Sequence, residues 1–170
     1  MGVTGYLQGL LINTIPRSHA VPRHLRIPLL RALGISIGSG TIVGAECRFI
    51  GRKVQLASRV YIGTAAYFDA HAEWVRIGDN TALGPEVMLL TSTHAIGPSH
   101  YRVVGGERYA PVTIGRGCWI GARTTILPGV TVGDGCVIAA GSLVIRDCAP
   151  DGLYAGIPAN RKRDLFTEPD

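Results

Sequence analysis

IGRGCW-IGARTT-ILPGVT-VGDGCV-IAAGSL-VIRDCA, residues 114–149, decides the fold. An aliphatic residue recurs every six positions without a slip: Ile114, Ile120, Ile126, Val132, Ile138, Val144. Upstream the same spacing gives Ile37, Val43, Phe49, then Leu56, Ile62, Phe68, then Ile77, Leu83, Leu89. That makes fifteen positions in five groups of three. The following residue carries a slower beat of eighteen. It is Gly or Ala in the first two members of each group (Gly38 and Gly44, Gly121 beside Gly115) and larger in the third (Ile50, Asp69, Leu90, Leu127, Ile145). Hexapeptide periods of this kind point to a parallel β-helix, and the slower beat makes three hexapeptides one turn.

The aliphatic side chain points inward and stacks on its copy one turn later, so Ile114 should lie under Val132, Ile120 under Ile138 and Ile126 under Val144. Turns stack at about 4.8 Å, the spacing of paired strands. Gly after the aliphatic residue is expected to turn the corner, having no Cβ to restrict its dihedrals. A second inward site lies four residues after the aliphatic one, where side chains are usually small: Thr41, Cys47, Val60, Ala66, Thr81, Cys118 and their equivalents. All four cysteines fall there, with no CxxC pair or metal-ligand spacing. They read as buried free thiols.

The chain has 170 residues and a formal charge of +5, enough for one domain with an aliphatic interior. No apolar run reaches the roughly 18 residues that span a bilayer. No secretory signal is evident, since the early apolar stretch precedes its arginines; a cytoplasmic protein is the default. No Asp or Glu precedes Glu46, whereas Arg17, Arg23, Arg26 and Arg31 do. These arginines read as solvated surface; a peripheral membrane contact is the functional alternative, and no nucleic-acid partner is expected.

Three segments depart from the repeat. Residues 1–34 form an N-terminal cap, with helical turns expected over Tyr6–Ile12 and a short helix over Pro28–Leu33 closed by Gly34. Residues 35–148 form the coil. Nine residues instead of six separate Phe68 from Ile77, and twenty-five separate Leu89 from Ile114. The longer gap, 91–111, is an inserted loop, and insertions in a solenoid favour the binding face. Residues 149–170 are a tail.

Thr93-His94 at the head of that loop, Trp119-Ile120-Gly121-Ala122, Ala139-Ala140-Gly141-Ser142 and the closing Gly156-Ile157-Pro158-Ala159 together resemble the hexapeptide-repeat acyltransferases, nearest the galactoside, maltose and nodulation-factor O-acetyltransferase branch. The resemblance implies an all-β fold, a left-handed parallel β-helix of about five coils with a short N-terminal helical segment and the long inserted loop. It also implies a homotrimer with active sites between neighbouring coils, and acetyl-CoA as acyl donor without a metal. The expected activity is acyl-CoA-dependent O-acyltransfer, most simply of acetyl, to a hydroxyl of a sugar or glycan.

In that scheme His94 is the general base, an imidazole being suited to proton transfer near neutral pH. Backbone amides near Gly121 and Ala122 would hold the oxyanion, where related enzymes often carry Ser at the position of Ala122. Trp119 would line the site, and Ala139 and Ala140 would let the donor approach closely. Arg146, Arg161 and Arg163 are candidates for its phosphates. On the acceptor side the branch has an Asn; here the candidates are Thr64, Tyr67, Asp69 and His71, with Asp69 either binding a sugar hydroxyl or orienting His94. Two other readings stand beside this one. A gamma-class carbonic anhydrase-like metalloenzyme would use His71, His94 and His100 on zinc. A non-catalytic trimeric scaffold would need none of them.

Overall fold

The computed structural model describes residues 10–165. Three parallel ladders form the walls of a triangular coil. The first stacks β1 (Ser36–Ile37), β4 (Val54–Leu56), β7 (Val75–Ile77), β12 (Val112–Ile114) and β15 (Thr131–Val132). The second stacks β2 (Ile42–Val43), β5 (Tyr61–Ile62), β8 (Ala82–Leu83), β13 (Trp119–Ile120), β16 (Val137–Ile138) and β18 (Gly152–Gly156), with β19 (Ala159–Asp164) antiparallel on its outer edge. The third stacks β3 (Arg48–Gly51), β6 (Tyr67–Ala70), β9 (Met88–Leu89), β14 (Thr125–Ile126) and β17 (Leu143–Val144).

The register is the one the repeat predicts: Ile114 pairs with Val132, Ile120 with Ile138 and Ile126 with Val144. All fifteen aliphatic-position side chains are buried. Phe49 and Phe68 stack with ring centroids 4.8 Å apart, so the side chains follow the rise of the backbone. Five full turns are followed by part of a sixth. A bridge from Val132 to Cys148 opens it, and Leu153 and Tyr154 then pair in parallel with Val137 and Ile138. The stacking therefore runs past Cys148, carried by a Tyr in place of the aliphatic residue.

The corner glycines act differently from the expectation. None of Gly38, Gly84 and Gly121 has a positive φ. Instead, a Cβ on them would stand 2.5, 2.6 and 2.4 Å from backbone atoms of Ala57, Ala122 and Ala140 on the next turn. They are there for close approach between turns. The left-handed conformation falls two residues later, at Gly40, Glu46, Arg59, Ala65, Asn80, Glu86, Gly117, Arg123, Gly129, Gly135 and Gly141. Since the left-handed region costs a non-glycine residue roughly 1–2 kcal/mol, the six corners without glycine are held by the turns stacked on them rather than by local preference.

The small inward position pins the turns together. Thr41, Thr81 and Thr124 donate their hydroxyls to the carbonyls of Ala57, Gly115 and Ala139 on the following turn, at 2.7, 2.7 and 3.3 Å. The Cys47 and Cys118 thiols bond the carbonyls of Gly63 and Gly133 in the same way. The cysteines are free and buried. Burial pushes the Cys47 and Cys118 thiols up to about 11, and Cys148 to about 12.

The N-terminal cap departs further from expectation. The helix runs from Arg23 to Ala32, with Pro28 inside it rather than near its start. Pro28 and His24 are both exposed, so the missing backbone bond faces water. Of the Tyr6–Ile12 expectation, residues 10–12 are helical and residues 6–9 lie outside the described chain. Arg23 is exposed as expected, but the other three arginines are not mere surface. Arg26 is buried and donates to the carbonyls of Pro16, Val43, Ser18 and Val21 at 2.7–3.1 Å. Arg31 bonds the carbonyls of Ile37 and Gly38, and Arg17 pairs with Glu46. These cations tie the cap to the first coil, as the terminal segment of a solenoid requires.

Replacing Gly38 by Ala should lower stability by about 2 kcal/mol, the ordinary cost of overpacking. Urea unfolding followed by circular dichroism measures it, and an unchanged midpoint would mean that the turns can part without loss.

Candidate active site

Two features stand out from the coil, at different corners. The first is a groove of about 550 Å³ along the second wall and the corner that follows it. Trp119, Gly121, Ala122, Ala139 and Ala140 line it, joined by Gly84, Pro85, Val137, Ile138 and Leu153. The residues facing out from the second wall are apolar: Ile42, Tyr61, Ala82, Trp119, Val137 and Leu153. Those of the first wall are Ser36, Gln55, Arg76, Thr113 and Thr131. This contrast was present in the sequence one residue before each aliphatic position, and sequence reasoning passed over it.

The two glycine corners also differ in their amides. Where the first wall meets the second, Asp79 accepts from the Ser58 N–H and Asp134 from the Arg116 N–H, each at 2.8 Å. The equivalent column at the groove corner is Ala45, Thr64, Pro85, Ala122 and Ala140. It has no carboxylate, and the Ala122 N–H has no acceptor among the described residues. The Gly121 N–H is already committed to the Ile138 carbonyl at 2.7 Å. Of the two expected oxyanion donors, only Ala122 is open.

The second feature grows from the corner between the third and first walls. Residues 91–111, expected as a loop, form an antiparallel hairpin of β10 (Ser92–Ile96) and β11 (Val103–Tyr109), with a bulge after His94. His94 is exposed and stands directly opposite Glu107. At the root, Asp69 Oδ2 accepts from the Ser92 N–H at 3.1 Å and the Ser92 hydroxyl at 2.6 Å, while the Thr91 hydroxyl donates to the Asp69 carbonyl. Asp69 Oδ1 takes the third contact, His71 Nδ1 at 2.8 Å. Burial pushes the Asp69 carboxyl upward, but the bonds from Ser92 and His71 outweigh it and hold the group below its ordinary value. The Tyr109 hydroxyl donates to Glu107 and keeps that carboxyl low too, against a smaller push from desolvation.

The remaining sequence candidates are dispersed. Thr64 is exposed at the groove corner, two turns before Ala122, and Tyr67 is half-buried on the third wall. Asp69 is buried with both carboxylate oxygens engaged, so it anchors the hairpin rather than offering itself to a ligand. Arg146 and Arg163 are exposed, and Arg163 pairs across β18–β19 with Leu153, placing it beside the groove. Arg161 instead spends its three nitrogens on Asp164, Tyr154 and the carbonyls of Ala149, Pro150 and Asp151. Glu107, Tyr109 and Ser92 were missed by sequence reasoning, because hairpin pairing rather than any periodicity brings them to His94 and Asp69.

His71, His94 and His100 do not form one donor set: His100 lies in the turn at the far end of the hairpin. Among the described residues no group of three or more His, Cys, Asp or Glu side chains is placed to hold a metal. No helix among them is long and apolar enough to cross a membrane.

The family model for bacterial transferase hexapeptide (six repeats) matches residues 111–146. Galactoside O-acetyltransferase of Escherichia coli (strain K12) is 33% identical over 162 residues, covering 91% of this chain and 76% of that protein. A maltose O-acetyltransferase from Clostridium difficile 630 superimposes with a TM-score of 0.83 at 29% identity, over 96% of this chain and 86% of that one. A hexapeptide-repeat-containing acetyltransferase from Vibrio cholerae O1 biovar eltor, complexed with acetyl coenzyme A, gives 0.81 at 27% identity, over 96% and 86%. Several further curated relatives are matched over only 45–58% of their length. The chain belongs to the hexapeptide-repeat acetyltransferases, whose left-handed β-helix it shares.

Arg161→Ala should lower the melting temperature by loosening β19, while Arg163→Ala should leave it unchanged and raise the KM for acetyl-CoA roughly tenfold, the loss of one charge-assisted bond. The reverse pattern would return Arg161 to the donor site.

Proposed function

We propose that this protein transfers acetyl from acetyl-CoA to a hydroxyl of a sugar or glycan, with His94 as general base, in a homotrimer whose sites lie between neighbouring chains. The observation that carries this reading is the separation of its two halves. His94 stands on the hairpin at one corner, the open-amide groove lies at another, and His94 is not among the residues lining that groove. A second copy brings one chain's histidine to its neighbour's groove, as closed cyclic assemblies allow. The exposed apolar surface of the second wall, with Trp119 61% and Tyr61 47% exposed, supports burial between chains. The sugar hydroxyl is supported by the two relatives named for galactoside and maltose O-acetylation.

The chain's own groups suffice for the chemistry. The neutral His94 imidazole takes the proton from the acceptor hydroxyl as its oxygen attacks the thioester carbonyl carbon. The Ala122 N–H meets the negative charge that develops on the carbonyl oxygen; a fixed backbone donor needs no reorganisation at that moment. When the tetrahedral centre collapses, the carbon–sulfur bond breaks and His94 returns its proton to the leaving thiolate. No covalent bond to the enzyme forms. Ala139 and Ala140 leave room for the pantetheine arm, and Arg146 and Arg163 are free to meet its phosphates. Because the amide rather than a side chain supplies the donor, Ala at position 122 is sufficient. Thr64 in the groove column, Tyr67 on the third wall and the exposed edge of the hairpin remain to contact the acceptor.

His94→Ala should reduce kcat by roughly 10²–10⁴ in an acceptor screen with acetyl-CoA, the usual contribution of a positioned base; full activity in the variant would remove it from the mechanism. Ala122→Pro deletes the open N–H without foreign geometry, since Pro85 already occupies that position one turn earlier. It should cost roughly 10²–10³ in kcat, as loss of an oxyanion donor does, with the trimer intact by sedimentation.

A further inference from the structure

Among the described residues, the polar and ring contacts that join the outer part of the hairpin to the coil centre on His71. Beyond Ser92, the hydrogen bonds, ion pairs and ring contacts between hairpin and coil among the described residues all come from this side chain. Its Nδ1 is held by buried Asp69 at 2.8 Å. Its Nε2 lies 3.6 Å from Glu107 Oε2, an ion pair formed by the protonated ring, which then offers an N–H to each carboxylate. Its ring meets Tyr109 edge-on, with centroids 5.4 Å apart. Tyr109 in turn donates to Glu107, and Glu107 is the cross-strand partner of His94. The hairpin otherwise projects with most of its side chains exposed.

We propose that His71, fixed by Asp69, is a positioning residue that clamps Glu107 to the coil and thereby sets where the hairpin holds His94. The reasoning is mechanical. A hairpin held only at its root, by Thr91 and Ser92 on one strand and by Ala110 running into β12 on the other, can swing about its base, and a base displaced by 1 Å can lose two orders of magnitude in rate. A clamp on the rung of His94 itself removes that freedom where it matters. The groups facing the His71 ring are Asp69 from the third wall and Glu107 and Tyr109 from β11, so the ring is bracketed by a carboxylate at each nitrogen. Asp69 thus serves His94 indirectly, through the root of the hairpin and through His71, and makes no contact with the reacting atoms.

This inference rests on His94 being the base, and the two fail differently. Kinetics with acetyl-CoA and a galactoside acceptor would be run on His71→Ala, His71→Gln and His94→Ala, together with hydrogen–deuterium exchange of the free protein. His71→Ala should lower kcat roughly 10- to 100-fold with the acetyl-CoA KM unchanged. Exchange should quicken over residues 92–109 and stay unaltered in the coil. His71→Gln, whose amide reaches the place of Nε2, should recover most of both losses. Unchanged hairpin exchange in His71→Ala overturns the clamp, and so does a quickening that spreads through the coil. Activity persisting in His94→Ala overturns the underlying assignment instead, whatever His71 does.

Discussion

Everything in this molecule depends on one turn of backbone lying directly against the next. Fifteen inward apolar side chains, thirteen aliphatic and two phenylalanines, fill the bore, each stacked in register on its copy a turn away. Burial of such side chains contributes on the order of 1.5–3 kcal/mol apiece, but only if the turns are in contact. At the glycine corners that contact is so close that a methyl group would meet the neighbouring main chain. Threonine hydroxyls and cysteine thiols then fasten each corner to a carbonyl of the turn above. One hexapeptide has no stability alone, and the polar and strained features are tolerated because the stack imposes them.

The active-site features follow from small exceptions to that regularity. Aspartates close the amides of one glycine corner, and their absence at the next leaves Ala122 with an unspent donor. Apolar residues face outward on one wall where the neighbouring wall is polar. A coil position that would normally be a plain corner instead holds Asp69, which roots an eighteen-residue excursion carrying the histidine (Ser92–Tyr109). The rigid coil acts as a ruler: each departure sits at a distance fixed by how many turns separate it from the next.

The basic N-terminal segment shows how composition can mislead. A run of arginines with no acidic partner nearby suggests a surface awaiting an anion. Arg26 and Arg31 instead find their partners in main-chain carbonyls of the cap itself and of the open end of the coil. Guanidinium donors suit that task, since the last turn of a solenoid exposes acceptors that no further strand will satisfy. Arg161 does the same at the opposite end. Charge counting registers such residues but cannot distinguish a ligand's phosphate from a neighbouring backbone oxygen.

The period of six, the third-side asymmetry, the inward cysteines and threonines and the position of the great insertion were legible in the order of residues alone. They are properties of a repeat, and a repeat repeats its contacts. What the chain order left open lies where spacing in sequence no longer measures spacing in space. Hairpin register put Glu107 opposite His94, a two-residue offset put His71 on Asp69, and a corner's orientation left one amide open while using its neighbour. Only the folded coil settles such matters, because they depend on which atoms of separate turns meet, and that geometry exists only once the turns are stacked.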